Sequence, residues 1–207
     1  MKTIQSTTTK ASEILNRVLD NFGAKASIYK DANYGAYFTR DTVINALGLL
    51  YSNNTSLVSG LITQLRVLKN LQGPNGEIPS NFSETNGHIT TCSFGSLTPK
   101  FDGVCWYIIA VSELVKANQL IFEEWKPSIE KGFACLETLE YNKKGLIYAP
   151  IGSDWADEYI LSGYVLHIQV LRLCVPTTLN KIESEQIYYD KISHIRRRIR
   201  EGYLIYD

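Results

Sequence analysis

The 207-residue sequence has no excess of charge of either sign, because 21 Lys and Arg residues balance 21 Asp and Glu residues. This balance argues against a protein that binds nucleic acid by bulk positive charge. It also argues against attraction to an anionic membrane by charge alone. Hydrophobic residues make up 44% of the chain and charged residues 20%, a composition typical of a globular protein. We therefore expect no nucleic-acid partner and no membrane partner.

Other sequence features that define special classes of protein are also missing. No run of about 18 apolar residues predicts a membrane-spanning helix, and the first residues lack the apolar core of a signal peptide. The four cysteines contain no Cys-x-x-Cys pair, which argues against a zinc site. The nucleotide-binding fingerprints Gly-x-Gly-x-x-Gly and the P-loop do not occur. These absences predict a protein of the reducing cytoplasm.

Helical periodicity dominates what is present. The spacing of apolar residues predicts seven helices, at residues 9–22, 39–51, 56–71, 101–118, 121–141, 158–174 and 181–200. The helix at 101–118 is nearly all apolar in its first turns, so we expect it to be buried. Gly23 is expected to end the first helix and Pro176 the sixth.

The connections between the predicted helices alternate between short turns and long polar loops. Residues 72–99 form the longest connection, are rich in Gly, Ser, Thr and Asn, and contain no strand-rich block. A loop of that length in a compact domain usually carries function. The whole pattern predicts an all-α single domain over residues 1–207, built from stacked αα-hairpins with functional loops on one rim.

Three loop-to-helix junctions, at residues 34–41, 93–107 and 151–159, each place a carboxylate beside aromatic residues. If the hairpins stack around an axis, these junctions converge, and convergent carboxylates with an arginine and exposed aromatics are typical of sugar hydrolysis. The alternative is structural. Thr39 and the aspartates at helix starts can serve as N-caps, and Arg40 and Asp41 can form a surface ion pair.

These junctions resemble the six-hairpin, (α/α)6-barrel glycosidases, in particular the amylo-α-1,6-glucosidase part of glycogen-debranching enzymes and the alkaline/neutral invertases. The order and approximate spacing of five motifs agree from residue 34 to about residue 173. The matching elements are Arg40-Asp41 (the Arg-Asp element), residues 72–81 (the G-x-(I/M/L)-P loop), residues 101–107 (the V-D-(A/S)-x-x-W helix start), Asp154-Trp155-Ala156-Asp157 (the T-W-M-D element) and residues 163–171 (the helix that follows it).

The sequence departs from the family in length and at two positions of that last helix, where the family's Pro is replaced by Val165 or Leu166 and its Glu by His167. His167 stands where the family has Glu, and a histidine on a helix is more often a core residue than a catalyst. A twelve-helix barrel needs more than about 300 residues at about 12 residues per helix plus loops. We therefore expect the chain to form a partial (α/α)6 toroid, the N-terminal part of the barrel. Residues 201–207 resemble the start of the family's next hairpin. The family's catalytic base, a Glu from the last third, would then be missing, and the chain alone is not expected to hydrolyse glycosides.

The resemblance implies an inverting acid/base mechanism on an oligosaccharide or disaccharide, α-glucosidic or sucrose-like, with no metal and no organic cofactor. Asp157 is the first choice for the catalytic acid and Asp154 the second. The residues expected to bind substrate are Arg40, Asp41, Asn81, Asp102, Trp106 and Trp155. The alternatives are a non-catalytic carbohydrate-binding or helical scaffold protein and, third, a phosphorylase. The oligomeric state is left open.

Overall fold

The computed structural model describes residues 2–29, 34–52, 55–141, 143–156, 159–183 and 187–204. Within these ranges the fold is rich in helix and also contains five short strands. The helices are α1 Lys2–Val18, α2 Thr39–Ser52, α3 Thr55–Asn70, α4 Phe101–Lys116, α5 Phe122–Glu137, α6 Leu166–Leu179 and α7 Tyr189–Tyr203. The strands are β1 Leu19–Asp20, β2 Gly23–Ala24, β3 Tyr37–Phe38, β4 Asn81–Thr85 and β5 His88–Ser93.

Helix α4 lies at the centre of the core, as its apolar sequence predicts. Most of its residues are buried, among them Val104, Ile108 and Val111, which are fully enclosed. Helix α4 packs against α2, α5 and α6, while α2 also packs against α3, and α6 against α7. The burial of one helix by three others places the start of α4, with Asp102, beside the start of α2.

The segment 72–99 is not a structureless loop, and this prediction is wrong. It contains the hairpin β4–β5, which turns at Asn86 and Gly87 with φ angles of 53° and 79°. Asn-Gly is the dipeptide that favours a tight hairpin turn, because both positions need positive φ. Strand β4 also pairs with β3, so Phe38 lies opposite Asn81 and the three strands form an antiparallel sheet beside the start of α2.

Several predicted helix ends also differ from the structure. Helix α1 ends at Val18 rather than at residue 22, because β1 and β2 pair in a small hairpin. Helix α6 begins at Leu166 rather than at residue 158, since Gly163 pairs with Ala149 in an antiparallel bridge just before it. Pro176 lies inside α6 and does not end it. The turn beyond Pro176 is held by burial of Val175 and Leu179.

The predicted helix 181–200 begins later, at Tyr189. The amide of Glu183 donates to the Leu179 carbonyl, so residues 180–183 follow on from α6 instead. Within the described ranges, none of the helices combines the length and the apolar character that a membrane crossing requires. All four cysteines are free thiols, of which Cys105 and Cys135 are buried.

The buried Tyr37 connects the sheet to β1, and its hydroxyl makes a testable contribution to stability. The ring stacks on Phe82 with centroids 4.7 Å apart, and the hydroxyl donates to Asp20 Oδ2 at 2.6 Å. A hydrogen bond to a partly solvated carboxylate contributes about 1–2 kcal/mol. Tyr37→Phe is therefore expected to lower the free energy of unfolding in urea by that amount. Tyr189→Phe, at an exposed position, is the control, and equal effects of the two changes would contradict the assignment.

Candidate functional site

An open cleft of about 340 Å³ lies where α2 and α4 begin, beside the three-stranded sheet. Its walls come from the segment leading into each helix, from the β4–β5 hairpin and from the loop before α6. The lining residues are Phe38, Thr39, Arg40, Ser80, Asn81, Ser93, Gly95, Ser96, Lys100, Asp102, Gly103 and Trp155. The cleft thus combines polar side chains with one exposed indole ring.

The carboxyl group of Asp102 is the most buried charged group in this lining, with 1% of the residue exposed. Its Oδ2 lies 3.5 Å from Nη1 of Arg40, while Oδ1 has no hydrogen-bond partner among the described residues. Burial raises the pKa of Asp102 above its usual range, and the nearby Asp154 carboxylate adds to this, although Arg40 opposes it. A buried carboxyl beside a guanidinium at a cleft is suited to hydrogen-bonding a polar ligand.

Asp154 lies just behind the cleft and is held by two hydrogen bonds to a single oxygen. Oδ1 accepts from the backbone N–H of Trp155 at 2.8 Å and lies 2.7 Å from Nδ1 of His167. Burial alone would raise the pKa of Asp154, but the bonds from His167 and Trp155, with Lys100 nearby, lower it instead. The same hydrogen bond raises the pKa of His167. The contact therefore favours the ionised carboxylate of Asp154 together with the protonated imidazole of His167.

The indole of Trp155 is the exposed aromatic surface of the cleft, with 48% of the residue accessible. The guanidinium carbon of Arg40 lies 5.7 Å from the ring centre, close enough for a cation–π contact. The His167 ring meets the indole edge-on, with centroids 6.5 Å apart and planes at 78°. Contacts from both α2 and α6 therefore fix the position of this ring at the cleft.

Backbone and lysine contacts tie the loop of Asp154 and Trp155 to the start of α4. The amide of Phe101 donates to the Ser153 carbonyl at 2.9 Å, and Lys100 Nζ donates to the Asp154 carbonyl at 2.7 Å. Lys100 also bonds backward, from its amide to the Phe94 carbonyl. The sequence analysis did not select Lys100, although the residue both lines the cleft and holds this loop.

The start of α2 is fixed by the segment that leads into β4. The Thr39 amide donates to the Ser80 carbonyl at 3.0 Å, and the Thr39 hydroxyl donates to the Pro79 carbonyl. The expected capping role of Thr39 is thereby replaced by a bond between segments. Ser80 in turn donates its amide to Ser93 at 2.8 Å, and Asn81 donates its side-chain amide to the Ser80 hydroxyl. The sheet thus sets the position of Arg40.

The predicted site residues fall into three groups. The cleft lining includes Arg40, Asn81, Asp102 and Trp155, with Asp154 directly behind. Asp41 is half-buried on the first turn of α2 and is not part of the lining, and Trp106 packs against the hydrophobic core one turn beyond Asp102. Asp157, predicted as the catalytic acid, lies outside the described residues.

His167 was expected in the core, but its side chain is 34% exposed and pairs with Asp154. No sequence signal joins these residues, because the partner is a loop residue before the helix. The hairpin, by contrast, carries a signal. The Asn86-Gly87 dipeptide between polar strand sequences indicates a β-turn, which would have placed Ser93 and Gly95 near Asn81.

No protein-family model matches the sequence, and no curated protein matches it. Two solved structures, each named as a point variant of a glycosidase, match 92% of this chain with a TM-score of 0.63 and 14% sequence identity. The chain spans 53% of the length of each of these structures. At this low identity the likeness concerns the fold, and the fold of this chain is therefore glycosidase-like.

Proposed function

We propose that this chain forms the sugar-binding rim of a glycoside hydrolase. The observation that carries the proposal is the cleft in which buried Asp102, the Arg40 guanidinium and the exposed Trp155 ring lie together. Aromatic rings bind the apolar faces of pyranoses, and charged groups form the stronger hydrogen bonds to hydroxyls. The glycosidase-like fold supports the same function.

Each group at the cleft has a distinct role in this proposal. A sugar ring packs on Trp155, and the Arg40 guanidinium and the Asp102 carboxyl, which pair with each other, hydrogen-bond its hydroxyls. The amide of Asn81 contacts the same ring from the sheet. The substrate is an α-glucosidic oligosaccharide or a sucrose-like disaccharide, as the resemblance to debranching enzymes and invertases implies.

We also propose that the domain of residues 1–207 is the N-terminal part of an (α/α)6 toroid. Support comes from the helix contacts, in which the pairs α2–α3, α4–α5 and α6–α7 meet through α2, α4 and α6. Further support comes from exposed apolar side chains that more helices would cover. They belong to Ile151, Ile160, Leu161, Leu166 and Val170. The matched glycosidase structures are about twice as long as this chain.

The chemistry of an inverting hydrolase needs an acid and a base on opposite faces of the sugar, about 6.5–9.5 Å apart. Among the described residues that line the cleft, Asp102 is the one carboxylic acid. Asp154 has a lowered pKa and would be a weak proton donor at neutral pH. We therefore keep Asp157 as the proposed acid and assign Asp154 the role of a fixed negative charge behind the cleft. The base would come from the remainder of the toroid.

The proposal is tested by calorimetric titration of the 207-residue chain with methyl α-glucoside, maltose, isomaltose and sucrose. Binding is expected, and Arg40→Ala should weaken it about 10- to 100-fold, the value of one hydrogen bond to a charged group. Arg196→Ala, on the exposed face of α7, is the matched control. Absence of binding, or equal losses in both variants, would contradict the proposal.

Release of glucose or fructose is measured in the same samples. Binding tests the proposed sugar-binding cleft, whereas turnover tests the proposal that the chain is only part of a toroid. The chain is expected to bind sugar without turnover above about 1 s⁻¹, the low end of ordinary enzymes. Faster turnover that Asp157→Asn abolishes would show that the acid is correct and that the toroid proposal is wrong.

A further inference from the structure

We propose that His167 is a positioning residue of the cleft, and that its protonated form holds Asp154 and Trp155 in the arrangement that binds sugar. The inference rests on the proposed function of the cleft and adds to it a dependence of sugar affinity on pH. The His167 side chain hydrogen-bonds Asp154 and packs edge-on against Trp155. It acts through the two residues that it holds.

The first contact is the short bond between His167 Nδ1 and Asp154 Oδ1, at 2.7 Å. The same oxygen accepts the backbone N–H of Trp155 at 2.8 Å, so one carboxylate joins the imidazole to the backbone that carries the indole. A charged donor shortens and strengthens such a bond relative to a neutral one. Loss of the imidazolium charge therefore weakens the bond that holds Trp155, while the backbone around Trp155 keeps its fold.

The second contact is between rings. The imidazole meets the Trp155 indole at 78°, and the Arg40 guanidinium approaches the same indole from α2. Arg40 is itself paired with Asp102. A change at His167 therefore reaches the proposed sugar-binding groups through one side chain, Trp155, which is the surface that would pack on the sugar.

The charged groups facing His167 come from three elements. Asp154 lies on the loop before α6, Asp102 at the start of α4, and Arg40 at the start of α2. The bond from Asp154 raises the pKa of His167 and Asp102 adds to it, whereas burial and Arg40 oppose the rise. Lys100 acts on the partner, because it helps to keep Asp154 ionised.

The sign of the pH effect follows from these two shifts. A raised histidine pKa means that the folded protein favours the protonated form. This stabilisation is full below the ordinary value of about 6.5 and is lost as the pH rises through the raised pKa. The lowered pKa of Asp154 keeps its carboxylate ionised below the ordinary range, so the ion pair persists through mildly acidic pH. Sugar affinity should therefore decline on the alkaline side.

The titration of His167 can be followed directly, because the chain has only three histidines. In two-dimensional NMR spectra of the imidazole C–H groups, the His167 signal is the one that His167→Gln removes. Its pKa is expected above about 6.5 and should fall in Asp154→Asn. The fluorescence of Trp155 is obtained by subtracting the emission of Trp155→Phe from that of the wild type. It should change with pH at the same midpoint as the His167 signal. A Trp155 emission that does not change with pH would overturn the proposed link.

The effect on binding is measured with maltose at about pH 6 and about pH 9. The wild-type affinity is expected to fall about three- to tenfold over this interval, the difference between a charged and a neutral hydrogen bond. His167→Gln should bind weakly at both values, and the control His194→Gln should follow the wild type. Wild-type affinity and pH dependence in His167→Gln would overturn the inference. If no variant and no wild-type sample binds sugar, the proposed function fails, while the NMR and emission results still decide whether His167 holds Asp154 and Trp155.

Discussion

Asp102→Asn is expected to weaken sugar binding about 10- to 100-fold, because it replaces a charge-assisted hydrogen bond by a neutral one. It also replaces one acceptor oxygen by an NH2 group that can only donate. The amide has the same shape as the carboxyl, so the buried position remains filled. The ion-pair contact of Asp102 with Arg40 is long, at 3.5 Å, and the loss should therefore appear mainly in the complex.

The same change should not lower the stability of the free protein. Burial raises the pKa of Asp102, which means that ionising this carboxyl costs more in the folded protein than in the unfolded chain. Folding stability therefore declines as the pH rises from the ordinary carboxyl range through the raised pKa, and Asn removes this decline. Arg40 would lose its partner, but its side chain is 36% exposed and remains hydrated.

Calorimetry with maltose measures the effect on sugar binding. Urea unfolding at about pH 4 and about pH 8 measures the effect on stability. Asp190→Asn, at an exposed position on α7, is the control for loss of one negative charge. If Asp102→Asn unfolded at much lower urea concentration and retained its sugar affinity, Asp102 would have a structural role at the start of α4 and the assignment would be wrong.

Gln169→Leu is expected to produce the largest loss of stability, about 2–4 kcal/mol, because it leaves two buried backbone groups unpaired. Gln169 is fully buried on α6, where its Oε1 accepts from the Ile147 amide at 3.0 Å and its Nε2 donates to the Ile147 carbonyl at 2.7 Å. Leu has nearly the same volume, so the loss reflects the missing hydrogen bonds rather than a cavity.

The consequence of this change extends to the cleft. Ile147 and Ala149 precede the loop with Asp154 and Trp155, and Gln169 is the side chain that attaches this segment to α6. Urea unfolding measures the loss, with Gln119→Leu at an exposed turn as the control. Equal stability of Gln169→Leu and wild type would show that other contacts hold the segment.

The sequence predicted the elements whose signal is contained in one segment. The apolar sequence of α4 predicted a buried helix. The convergence of the Arg40 and Asp102 junctions, which are in contact at 3.5 Å, was predicted from the stacking of hairpins and not from a signal within one segment. The hairpin β4–β5 was missed although Asn86-Gly87 indicates it, since its strands alternate weakly and are largely exposed.

Features that depend on pairing between distant segments could not be predicted in this way. The start of α6 is set by the bridge between Ala149 and Gly163, and the partner of His167 is set by the path of the preceding loop. A histidine on a helix carries no information about a carboxylate on a loop, so its role emerged only from the packing of α6 against the start of α4.

The most direct test of the sugar-binding cleft is a crystal structure of the 207-residue chain grown with saturating maltose. The account predicts one glucose ring packed on Trp155, with hydroxyls within hydrogen-bond distance of the Asp102 carboxyl and the Arg40 guanidinium. A sugar bound at another surface, with the face of Trp155 unoccupied, would contradict it.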